Sequence, residues 1–120
     1  MSLITLNYWP TVEHYFQAKK FDDEAHVEKI RNAKTPSSAK SLGRSRKVKI
    51  RQDWEHIKDE VMRKAVRKKF ETHDDLRGIL LATGKRELIE NAPRDYYWGC
   101  GACRTGKNML GKLLMEVRER

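Results

Sequence analysis

A chain of 120 residues and 14.1 kDa has the size of one compact domain. Its 26 Lys and Arg against 17 Asp and Glu give a net charge of +9 at pH 7, which favours an anionic partner, either nucleic acid or a phosphorylated metabolite. No run approaches the roughly 18 apolar residues of a membrane span, the opening Met1-Ser2-Leu3-Ile4-Thr5-Leu6 is not signal-like, and two cysteines are too few for a disulfide-stapled fold, so a cytoplasmic protein is expected.

Residues 3–9 read as a short β-like lead-in, and Pro10-Thr11 carries a helix-start signature. A first helix is expected over Thr11 to Phe21, with Val12, Tyr15 and Phe16 facing the core at i, i+3, i+4 spacing. Glu13, Gln17 and Lys20 then form a separate polar stripe, since positions four and seven apart lie within about 40° and 20° of each other on a helix. A second helix is expected from Asp23 to Ala33, and a third starts at Pro36 and ends at Gly43.

The segment Arg44-Ser45-Arg46-Lys47-Val48-Lys49-Ile50-Arg51 has five cations and no acid. It reads as a basic loop: a solvated surface, a nucleic-acid patch or an anion clamp. Asp53 caps the longest expected helix, Trp54 to Glu71, whose buried side carries Trp54, Ile57, Val61, Ala65, Val66 and Phe70. Another helix, Asp74 to Thr83, is built on Leu76, Ile79, Leu80 and Leu81 and closed by Gly84. Leu88-Ile89 suggests a brief strand, residues 93–106 a glycine-rich loop, and Asn108 to Arg118 a final helix. The fold class is therefore mainly α: a single compact multihelical domain, with one short β element near the N-terminus and one near residue 88.

On spacing alone, Glu13 is explained by the positive end of its helix, and Lys20 and Gln17 by an ordinary solvated face. The lone Cys100-Gly101-Ala102-Cys103 lacks the second pair of a structural zinc site, and His14, His26, His56 and His73 show no ligand spacing, so neither metal nor cofactor is expected. Gly106-Lys107-Asn108 lacks the upstream glycine of a phosphate-binding P-loop.

Three segments add to this reading: residues 9–21 (Trp9-Pro10-Thr11-Val12-Glu13-His14-Tyr15-Phe16-Gln17-Ala18-Lys19-Lys20-Phe21), Val61-Met62-Arg63-Lys64-Ala65, and Trp98-Gly99 leading to residues 106–115. With Gly43-Arg44, Asp53-Trp54-Glu55 and Leu80-Leu81-Ala82-Thr83 in order, the chain from Trp9 to Arg118 closely resembles the YbiA-like (NADAR) family. That resemblance implies a metal-free N-glycosidase acting on phosphoribosylamino-pyrimidine intermediates of riboflavin synthesis or on a related ADP-ribosyl substrate, including an ADP-ribosylated nucleic acid. It further implies Glu13, Lys20 and Asp95 as catalytic residues. Substrate would be bound by Trp9, His14, Gln17, Arg44, Arg46, Trp54, Trp98 and Asn108, with the arginines on phosphate and Trp54 and Trp98 as walls for base or ribose. The alternative is a module that binds ADP-ribose, NAD or nucleic acid without turnover. The chain departs from the family in two places. The loop has Cys100 or Cys103 where an acid or other polar group is usual, and an upstream Phe-Ser-Asn-Phe-like segment is absent, which reads as a shortened N-terminus.

Overall fold

Thr11, Asp23 and Thr35 each start a helix in the computed structural model, which describes residues 9–92 and 94–119. All three are extended, and each side-chain oxygen accepts the backbone N–H three residues on, at 3.2, 3.0 and 3.0 Å. Such caps contribute about 1 kcal/mol apiece by satisfying a donor that has no partner within the helix. The helices they begin are α1 (Val12–Ala18), α2 (Glu24–Arg31) and α3 (Pro36–Gly43), and α1 packs against both others.

Helix α1 stops at Ala18, three residues short of the expected Phe21. Lys20 and Phe21 donate to carbonyls three residues back, at Gln17 and Ala18, so the last turn tightens. Phe21 is then drawn into an isolated antiparallel bridge with Ile50, and the Arg51 N–H donates to the Lys20 carbonyl at 2.8 Å. A pairing with a residue 29 positions away thus ends a helix that local pattern would continue. The core beneath comprises Trp9, Tyr15, Ala18, Phe21, Ile30, Ala39 and Ala65. The longest helix, α4 (Trp54–Thr72), buries Trp54, Met62, Ala65 and Val66. Asp53 precedes it as expected, but its carboxylate forks onto the Arg51 guanidinium at 2.6 and 3.0 Å. That hydrogen bonding holds the Asp53 carboxyl below its ordinary pKa.

Contacts divide the chain into two compact units, residues 1–69 and 70–120. In the second unit, α5 (Asp74–Ala82) packs against α6 (Met109–Arg118). Gly84, at φ 63°, follows the end of α5 in the left-handed conformation that glycine adopts without cost. Leu80 is buried, whereas Ile79 and Leu81, expected in the core, are 66% and 48% exposed. The four apolar residues of α5 cover too much of the helix circumference for α6 to bury them all.

The mainly α architecture expected from the sequence is present, and neither short β element is seen among the described residues. Residues 3–8 of the first lie outside the described residues, and Trp9 lies in a bend. At Leu88-Ile89 no strand forms, because Asn108 takes the place of a partner strand: its Oδ1 accepts from the Glu90 N–H at 2.8 Å and its Nδ2 donates to the Leu88 carbonyl at 2.9 Å. Among the described residues no helix is long and apolar enough to cross a membrane.

Candidate active site

Glu13 lies in the first turn of α1, and Gln17 one turn further along it. The Gln17 Nε2 donates to Glu13 Oε2 at 2.7 Å, so these two positions do share a face. Gln17 is only 4% exposed, because α1 lies against α3 at this level and Gly43 backs the glutamine side chain. Lys20 has left the helix, yet the tightened turn keeps it beside the same face: its Nζ comes within 3.5 Å of the Gly43 carbonyl. Arg46 reaches that carbonyl as well, at 3.5 Å, and its NH1 donates to the carbonyls of Arg44 and Ser45 at 3.1 and 3.4 Å.

Two cations therefore converge on the carbonyl at the end of α3. The Lys20 pKa lies below the ordinary lysine value, first because the amine is half-buried and then because Arg46, Arg44 and Lys40 are near, with Glu13 opposing them. A lysine in such a place reaches the neutral, nucleophilic form more readily than an exposed one. The Lys20 Nζ also lies 6.0 Å from the centre of the Phe16 ring, and that ring meets Trp54 edge to face at 5.0 Å, a geometry worth about 0.5–1.5 kcal/mol beyond burial. The structure thus gathers Glu13, Gln17, Lys20, Arg44 and Arg46 in the first unit, with the Phe16 and Trp54 pair behind the lysine. An open depression lined by Asp22, Asp23 and residues 47–53 contains none of these five, so concavity and chemistry do not coincide there.

Two other expected substrate-binding residues have structural surroundings. His14 is 1% exposed; its Nε2 donates to the Ala33 carbonyl at 2.9 Å, and its Nδ1 accepts from the Thr11 hydroxyl at 2.7 Å. A carbonyl can only accept, which fixes this tautomer and commits both ring nitrogens. Trp9 is buried against Tyr15 and lies under the Arg31 guanidinium, 4.1 Å from the ring centre.

In the second unit, Asp95 Oδ1 accepts the backbone N–H groups of Tyr97 and Trp98 at 3.0 and 2.8 Å, bracing the turn that presents Trp98. The loop then caps α6: the carbonyls of Gly99, Tyr97 and Trp98 accept the N–H groups of Asn108, Met109 and Leu110 at 3.1, 2.9 and 3.0 Å. These loop carbonyls do what a cap side chain does elsewhere, because the Asn108 side chain is occupied with residues 88–90. The residue that sequence reasoning did not single out is Gly43. Its signal was the Gly43-Arg44 step at the end of a short helix, where a helix stop is the simplest explanation for the glycine.

Residues 2–120 match the model of the NADAR domain. The chain belongs to the NADAR family. It is 53% identical to N-glycosidase YbiA of Escherichia coli (strain K12) over 111 residues, covering 92% of this chain and 69% of that protein. It is 46% identical over 111 residues to the riboflavin biosynthesis protein VVA0006 of Vibrio vulnificus, covering 92% of this chain and 30% of that one. The NMR structure of the E. coli protein YbiA matches with a TM-score of 0.86 at 53% identity, covering 92% of this chain and 66% of that one. Within the NADAR family, relatives at this identity make the chain a hydrolase acting on N-glycosyl compounds.

Proposed function

We propose that this NADAR protein hydrolyses the N-glycosidic bond of a phosphoribosylamino-pyrimidine intermediate of riboflavin synthesis, or of a related ADP-ribosyl substrate, with Glu13 and Lys20 as the reacting groups. The observation that carries the reading is one carboxylate and one partly desolvated amine on the same face of the first unit, with Arg44 and Arg46 beside the amine. Cleaving an N-glycoside develops positive charge at the anomeric carbon, and a carboxylate at the position of Glu13 stabilises it. In its neutral form Lys20 attacks that carbon of the ring-opened sugar. The nitrogen–carbon bond to lysine forms as the base leaves with a proton, and water then hydrolyses the resulting Schiff base to free the sugar and the amine. The arginines match a sugar phosphate, since guanidinium forks hold phosphate oxygens. Trp54, beside Phe16 and Lys20, is assigned to a wall for base or ribose. The compartment fits the cytoplasm, where both cysteines stay as the free thiols seen here.

Chromatography of the pyrimidine intermediate and of an ADP-ribosylated base after incubation with wild type and Glu13→Gln tests the reading. Release of ribose 5-phosphate or ADP-ribose by wild type is expected, falling to a small residual rate in Glu13→Gln, and borohydride should trap a sugar adduct on Lys20. Retention of both substrates without release would instead mark a binding module.

A further inference from the structure

Gln17 and Gly43 are explained poorly by stability alone. The Gln17 side chain is more than nine-tenths buried, with its Nε2 on Glu13 and its Oε1 buried without a hydrogen-bond partner. Its orientation is forced, because an ionised carboxylate only accepts, so the amide nitrogen must face Glu13 and the amide oxygen must turn inward. An inward carbonyl without a donor is destabilising, and an apolar side chain of similar size would avoid the cost. The inward turn brings Gln17 onto Gly43, where an added Cβ would overlap the amide oxygen and lie 2.7 Å from the amide carbon. Gly43 is not among the glycines with positive φ, so its backbone conformation is open to other residues. What excludes a side chain at 43 is the glutamine. The same residue's carbonyl is the one approached by Lys20 and Arg46.

We propose that Gln17 and Gly43 act together as a positioning device for the reaction: Gln17 orients the Glu13 carboxylate, and Gly43 supplies the space for that amide and the carbonyl that places Lys20. The device sets the separation of the two reacting groups from one point at the end of α3. This inference rests on the N-glycosidase reading of Glu13 and Lys20.

The test is kinetics and thermal melting of Gln17→Met, Gly43→Ala and Gly43→Ala/Gln17→Ala. Gln17→Met should lower kcat on the order of 10- to 100-fold, the scale of a misplaced catalytic group, while KM stays close to wild type and Tm does not fall. In a Glu13→Gln background the same change should have no further effect on residual turnover. Gly43→Ala should lower both kcat and Tm, and adding Gln17→Ala should recover part of the Tm but not kcat, since the Cβ kept at position 17 still lies 3.0 Å from a Cβ at 43. Wild-type kcat in Gln17→Met, or a loss additive with Glu13→Gln, overturns the positioning role. If wild type releases no sugar at all, the functional reading fails and the positioning role with it, a result distinct from an active enzyme indifferent to Gln17.

Discussion

Replacing His14 by leucine separates a structural from a substrate-binding role for the most deeply buried polar residue of α1. The imidazole is 1% exposed and spans α1 and the end of α2, donating to the Ala33 carbonyl at 2.9 Å and accepting from Thr11 at 2.7 Å. Leucine has a similar volume, so cavity formation is minor. The Ala33 carbonyl loses its donor, a loss that costs about 1–3 kcal/mol when the group is fully buried; Ala33 is only half-buried, which favours the lower part of that range. Thr11 keeps the His14 backbone N–H but loses the imidazole acceptor, adding about 1 kcal/mol. The total is about 2 kcal/mol, equivalent to roughly 8 °C in Tm for a domain of this size. Urea melts should show a lower midpoint with unchanged slope, and kinetics well below the melting temperature should leave KM near wild type. A variant with wild-type Tm and lost substrate binding would refute this placement and make His14 a substrate-binding residue.

Lys20→Met should abolish turnover yet stabilise the fold at pH 7. The folded pKa of Lys20 is lowered by burial and neighbouring cations, so folding disfavours its charged form. That cost is fully present while both states are protonated and fades as pH rises through the folded value toward the unfolded 10.5, so urea midpoints should show an advantage that shrinks from pH 7 to pH 10. Arg44→Ala should raise KM for a phosphate-bearing substrate about tenfold with little change in kcat, and less so at high salt. Asn108→Ala removes both bonds to residues 88–90 and places a side chain other than asparagine at φ 53°; a loss of about 2–4 kcal/mol is expected, with faster exchange of the Glu90 amide.

What could be read from the sequence was governed by how local its cause was. Thr11 and Pro36 announced helix starts because a cap acts within three residues. Gly84 announced a helix end for the same reason. The early stop of α1 could not be read, since the bridge that causes it involves Ile50. The strand expected at Leu88-Ile89 failed through a side chain 20 positions away. The polar stripe is an instructive mixture. Helical periodicity grouped Glu13, Gln17 and Lys20 correctly, although Lys20 joins them through a turn and a contact with α3 rather than through the helix. Periodicity also made Gln17 a surface residue, because it cannot report that α3 covers that side of α1.

The geometry of the cysteine loop rests on its backbone rather than on its thiols. Cys100 is buried, its N–H donates to the Glu90 carbonyl at 2.9 Å, and its own carbonyl accepts from Gly106 at 2.8 Å. Its position is therefore set by backbone pairing, which a change of side chain leaves in place. Cys103 is exposed and meets the Tyr96 hydroxyl at 3.9 Å, while that hydroxyl accepts the Ala102 N–H at 3.2 Å. A change of side chain at either cysteine thus alters the chemistry displayed by the loop and leaves in place the carbonyls that cap α6. The carboxylate and amine proposed for the bond cleavage stand on α1, its following turn and the end of α3, none of which depends on either thiol.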